Sequence, residues 1–155
     1  MRQAGVALAL ATVVPWCPPA ASAEAETVER IRSAAAEISL VQEQRGNDSA
    51  IIAIADCYDR TSAPGSPLEV AQKCATQDWV ISEMSIAFFE QLGTEGKKNH
   101  SYQIALDAPG RIATLLLEKK KLSHTDARAF TELMKQHAIP AFVKARYGCE
   151  APPCQ

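Results

Sequence analysis

Aromatic side chains make up only 6% of the 155 residues, and the chain carries just 3 histidines, 7 glycines and 5 cysteines. No two cysteines stand as Cys-x-x-Cys, which removes the short dithiol redox motif, the zinc knuckle and the covalent haem site. His-Glu-x-x-His, Gly-x-Ser-x-Gly and a glycine-rich phosphate loop are also missing. The zinc protease, the serine-hydrolase elbow and the nucleotide cradle therefore have no signature here. A basic excess is lacking as well: the net charge is -2, so no nucleic-acid partner is expected, because neutralising phosphates takes a strongly positive surface. Finally, no apolar run reaches the roughly 20 residues that a bilayer span takes.

What is present begins with a leader. Arg2 is the only charge before Glu24, the run from Ala4 to Trp16 is largely apolar, and Ala21-Ser22-Ala23 precedes the acidic Glu24-Ala25-Glu26. A charged start, a short apolar segment and a small-residue exit describe a secretory signal peptide cleaved after residue 23. Trp16 stands where a lipoprotein signal requires a small residue, so Cys17 is read as part of the leader. The expected organisation is a signal peptide over 1–23, a helical domain over 24–148 and a short disulfide-closed tail over 149–155. The expected location is the periplasm or the outside of the cell, and the mature chain is expected not to span a membrane.

Cys57, Cys74, Cys149 and Cys154 remain after cleavage, and an even number in an exported chain reads as two disulfides. Cys57 and Cys74 flank the turn-rich Ser62-Ala63-Pro64-Gly65-Ser66, so a helical hairpin brings them level. Cys149 and Cys154 enclose only Glu150-Ala151-Pro152-Pro153. These two pairings are favoured over the two crossed ones. Their spacing suits no zinc site, and neither a metal nor any other cofactor is expected.

Glycine and proline punctuate the mature chain, leaving long uninterrupted stretches at 24–45, 47–63, 68–92 and 111–139. Such lengths suit helices and exceed ordinary strands. The expected fold is all-α, about five helices in one small disulfide-stapled bundle. The first carries Val28, Ile31, Ala35 and Ile38 on one face. The third is expected to start at a capping Ser66 with Pro67 and Glu69 behind it, and to bury Ala71, Cys74, Asp78, Ile81, Ser85, Phe88 and Leu92. Between Thr94 and Asp107 the pattern allows a loop, a short strand or an irregular helical turn. A fourth helix is expected from Pro109 to Lys121, and a fifth from a Ser123 cap to Gly148, bent or restarted at Pro140.

Two polar residues fall on apolar faces, Asp78 and His137. A buried carboxylate requires a partner, and His137 or Arg60 is available to supply one, giving a candidate buried polar pair. Met134 and His137 share a helical face, but a single such pair reads as core and not as a copper site. Asn47-Asp48-Ser49 and Asn99-His100-Ser101 match the glycosylation acceptor pattern, which matters only in a eukaryotic source.

Charge is segregated. Residues 24–110 hold 7 basic and 14 acidic side chains, whereas 111–146 hold 8 basic and 3 acidic. Lys119, Lys120, Lys121, Arg128, Lys135, Lys144 and Arg146 form a candidate patch for an acidic protein or an anionic envelope component, or simply a solvated face complementing helix dipoles.

The segment from Cys57-Tyr58 through Glu69 to Cys74 and Asp78 resembles the cysteine-stapled helical hairpins of small secreted bacterial proteins, among them the lysozyme-inhibitor type. The likeness is confined to that hairpin, and the rest of the chain has no counterpart. The functional expectation is an exported helical binding or interaction protein. Its alternatives are an inhibitor or accessory factor of an envelope enzyme, and a small hydrolase-like enzyme using Asp78, His137 or His124. An enzyme needs at least two of those side chains to converge in one pocket.

Overall fold

The computed structural model describes residues 19–61, 63 and 65–149. Most of the expected signal peptide, and Cys154 with the tail around it, lie outside the described residues. Within them every element is helical: α1 (Pro19–Arg45), α2 (Asn47–Thr61), α3 (Leu68–Gln91), α4 (Gly93–Lys97), α5 (His100–Leu106), α6 (Ala108–Ala113), a wider π-helical turn (Thr114–Lys119) continuing α6, and α7 (His124–Tyr147).

The all-α class is as expected, but there are seven α-helices among the described residues instead of about five. The two extra ones, α4 and α5, come from residues 93–106, where punctuation restarts helices at once. Gly93 takes a left-handed φ of 66° and α4 begins on it. Asn99 then accepts a 2.8 Å hydrogen bond from the Ser101 amide and caps α5. Gly96 is buried where α4 folds back on α3, and a Cβ there would lie 2.0 Å from the Phe89 carbonyl oxygen. Only a hydrogen fits, so the close approach itself selects glycine.

α3 is the central element and packs against α1, α2, α5, α6 and α7. Surrounded in this way, it buries polar as well as apolar residues over its first four turns: Ala71, Cys74, Ala75, Val80 and Ile81 beside Thr76, Gln77, Asp78 and Ser82. The expected face does not continue to Phe88 and Leu92, which are exposed. α4 and α5 cover a different side there, with Tyr102 edge-on to Phe89 at 6.3 Å.

α1 buries Ile31, Ala35 and Ile38 as the spacing predicts. Its most extensive partner is α7, which contributes Phe130, Met134, Ala138 and Phe142 to the same core. Gln77 donates to the Ala34 carbonyl at 3.4 Å, and the half-exposed Lys73 pairs with Glu37 at 2.6 Å, so α1 and α3 are joined by polar contacts around the apolar seam.

Cys57 and Cys74 are joined, with Cα atoms 5.6 Å apart. This is the favoured pairing and rules out the crossed ones. Cys149 is disulfide-bonded too, and its expected partner, Cys154, lies outside the described residues.

The two expected caps differ in outcome. Ser123 accepts from the Asp126 amide at 3.0 Å and starts α7, and α7 runs on through Pro140 to Gly148, whose left-handed φ of 73° ends it. Ser66 caps nothing. Its hydroxyl donates to the Thr61 carbonyl at 2.7 Å and meets the Lys120 ammonium, so a tertiary contact from the end of the π turn has taken the group that local chemistry assigned to the helix.

Candidate functional site

Asp78 is 3% exposed and lies in α3 at the floor of a cleft between α2 and α5. Its carboxylate is fully occupied. One oxygen, Oδ1, accepts from Arg111 Nη2 at 2.8 Å and from Ser82 Oγ at 3.1 Å. The other, Oδ2, accepts from Tyr58 Oη at 2.8 Å and Arg111 Nε at 3.1 Å. Arg111 thus grips the carboxylate with two donors, the geometry in which the guanidinium fork is strongest. Its Nη1 donates to the Ile104 carbonyl at 2.6 Å, near the end of α5. One buried charge therefore ties α2, α3, α5 and α6 together.

The electrostatics agree with this geometry. Hydrogen bonding to Asp78 raises the Arg111 pKa above the ordinary arginine value despite partial burial. Burial, reinforced by the Asp78 charge, pushes the Tyr58 phenol well above the ordinary tyrosine range. Tyr58 thus stays protonated in the fold at pH values where an unfolded tyrosine ionises. Linkage gives the sign: the stability this group contributes is complete below its unfolded pKa of about 10 and is lost as pH rises beyond it. Unfolding free energy measured by denaturant titration is expected to fall above that pH, and to fall less in Tyr58→Phe. Equal slopes in the two proteins would exclude Tyr58 as the source.

The cleft above this clasp has a volume of about 370 Å³. Ile51, Ile54 and Ala55 of α2 form one wall, Ile104 and Ala105 of α5 the other, and Ile81, Ser82 and Ser85 of α3 join Asp78 on the floor. Ile51 and Ile104 remain exposed at the rim. The site is an apolar slot over a neutralised polar floor.

The other candidate residues lie elsewhere. His137 lines a groove between α1 and α7 with Glu29, Arg32 and Lys144. His124 lines a further groove between α6 and α7. The structure gives Asp78 partners other than the expected His137 or Arg60, and Arg60 donates to the Asp56 carbonyl in its own helix. Asp78, His124 and His137 do not share a pocket.

The seven basic residues are also dispersed. Lys120 is half-buried and bonds the Ser66 carbonyl at 2.7 Å. Lys119 borders a groove with Asp107 and Arg111. Lys121 is exposed at a left-handed φ of 56°. Lys135 pairs with Glu132 at 3.3 Å, the Arg146 guanidinium stands 6.0 Å over the Tyr147 ring, and Arg128 and Lys144 are exposed. Arg128 and Lys144 are about 24 Å apart along α7 at 1.5 Å rise per residue, so these charges do not make one compact patch.

Sequence reasoning singled out Asp78 but missed Arg111 and Tyr58. Arg111 left a faint signal: it precedes the buried Leu115 by one helical turn, placing its stem on the packed side of α6. Among the described residues no group of three or more His, Cys, Asp or Glu side chains is placed to hold a metal ion, and no helix is long and apolar enough to cross a membrane. No protein-family model, curated protein or solved structure matches the chain, so the likeness of the Cys57–Cys74 hairpin to secreted helical hairpins remains a likeness of that hairpin alone.

Proposed function

We propose that the chain is an exported helical binding protein, without catalytic activity, that engages a partner protein through the cleft between α2 and α5. The observation that carries this reading is the separation of the three candidate catalytic side chains into three different clefts, with Asp78 fully hydrogen-bonded to its neighbours. Acid-base work takes a group with a free lone pair or proton and a second group within reach. A clasp that holds two cleft walls at fixed separation serves recognition instead, since a preformed apolar slot loses little on binding.

Export is supported by the leader and by the exposure of residues 22–26. Cleavage after Ala23 shortens α1 by its first turn and leaves the buried stripe from Ile31 onward intact. The periplasm or the outside of the cell also suits a disulfide between Cys57 and Cys74.

Affinity capture from the native envelope fraction, compared between wild type, Ile104→Asp and His137→Ala, tests the proposal. Ile104 is exposed, so the charge disturbs the slot without entering the core. The partner recovered by wild type is expected to fall at least tenfold with Ile104→Asp and to be unchanged with His137→Ala. Equal recovery by all three proteins would overturn the assignment of the cleft.

A further inference from the structure

A second concave site lies between α6 with its π turn and α7, independent of the α2–α5 cleft. Its volume is about 380 Å³, its floor is made by Trp79, Ile112, Leu116 and Met134, and Ala113 and Leu117 form one wall. The facing wall is a stripe along α7, His124, Arg128, Thr131 and Lys135, at spacings of four, three and four that place all of them on one helical face. Among the described residues no carboxylate lines the groove.

We propose that this groove binds a soluble single-chain amphiphile with a carboxylate head, the head on Arg128 and the alkyl chain along the floor. The polar groups lining the groove are almost entirely donors. Arg, Lys and Trp have no acceptor to offer, and the Thr131 hydroxyl already donates to the Ala127 carbonyl at 2.8 Å. A complementary ligand must therefore bring acceptors and negative charge, together with apolar surface for the floor.

Two acidic groups decide where along the stripe the head lies. Lys135 already pairs with Glu132 at 3.3 Å and acts on the half-buried Glu83 of α3, whose pKa is raised by burial and by Glu90. The Lys135 end is thus partly neutralised. At the other end Arg128 makes no ion pair among the described residues, and the nearby Asp126 is turned to the Ser123 hydroxyl at 2.6 Å, so the uncompensated charge of the stripe is that of Arg128.

The same surroundings distinguish a free amphiphile from a membrane. None of the large apolar side chains exposed among the described residues, such as Ile52, Phe88, Leu92 and Tyr147, lines this groove. It has no apolar collar with which to lie in a bilayer, and its apolar surface is reached only by a chain that enters it.

Trp79 supplies the measurement. In a Trp16→Phe chain it is the only tryptophan, and its ring forms part of the floor. Its emission is titrated with decanoate below the micellar range, decanol, decyltrimethylammonium and anionic phosphatidylglycerol vesicles. Decanoate is expected to shift the emission saturably, decanol to bind at least tenfold more weakly, and the cation and the vesicles to give no saturable change. Arg128→Glu is expected to weaken decanoate at least tenfold with an unchanged thermal midpoint, and Ala113→Phe, at an exposed position of the wall, to block it. Equal binding of decanoate and decanol, undiminished binding by Arg128→Glu, a response to vesicles alone, or no binding at all would overturn the proposal.

Discussion

Asp78→Ala is expected to lower the unfolding free energy by about 3–5 kcal/mol, the cost of breaking a buried ion pair from one side. The variant strands Arg111 and removes the acceptor of Tyr58 and Ser82 in one step. Arg111 is about a third exposed and recovers some hydration, which places the loss toward the lower end of that range. Asp78→Asn keeps the shape but meets the arginine fork with an amide whose nitrogen is itself a donor, so it is expected to cost nearly as much. Equilibrium urea unfolding of the single variants and of the Asp78→Ala/Arg111→Ala double variant checks this. The double variant should be appreciably more stable than the sum of the singles implies. Strict additivity, or a single loss below about 1 kcal/mol, would reduce the clasp to an ordinary surface pair.

Removing the Cys57–Cys74 bridge is expected to cost about 3 kcal/mol, since a crosslink between residues 17 apart restricts the unfolded chain by that much on the loop-closure account. Both half-cystines are buried, so Cys57→Ala/Cys74→Ala also loses packing. The double variant is the cleaner test, because a reductant opens the Cys149 bridge as well. Unfolding midpoints of wild type and variant, both without reductant, isolate this bridge. No change in midpoint would mean that the α2–α3 hairpin is held by its packing alone. Tyr58 adjoins Cys57, so the variant should also weaken the clasp, and Asp78→Ala should then cost less in that background.

The fold class was legible because long glycine- and proline-free stretches cannot be short strands, and the hairpin pairing because a turn-rich segment lies between two cysteines at comparable distances from each. Local chemistry failed where a distant residue intervened. Ser66 has every mark of a helix cap, yet Lys120, 54 positions away, shares its hydroxyl with Thr61. Phe88 and Leu92 keep the helical period of the buried face, but period says nothing about where neighbouring helices stop. Asp78 stood out as a carboxylate on an apolar face. Its partner, 33 residues distant in a short helix after a proline, carries no mark of its own that local spacing could distinguish. Gly93 reads as the left-handed stop of α3, which it is, but it also opens α4, and Asn99 reads as loop yet caps α5, because starting a helix and ending one employ the same residue types.

The pairing of α1 with α7 bears on how the molecule is assembled. The first and last helices of the described chain are each other's largest neighbours, so a growing polypeptide makes α1 long before its main companion exists. α2 and α3 shelter part of the Ile31–Ile38 stripe early, but the rest waits for nearly the whole chain to emerge. Bringing the two ends together carries the loop-closure entropy of almost the full length. The intermediate that lacks α7 exposes an apolar seam, and it is the species most open to wrong association during biogenesis.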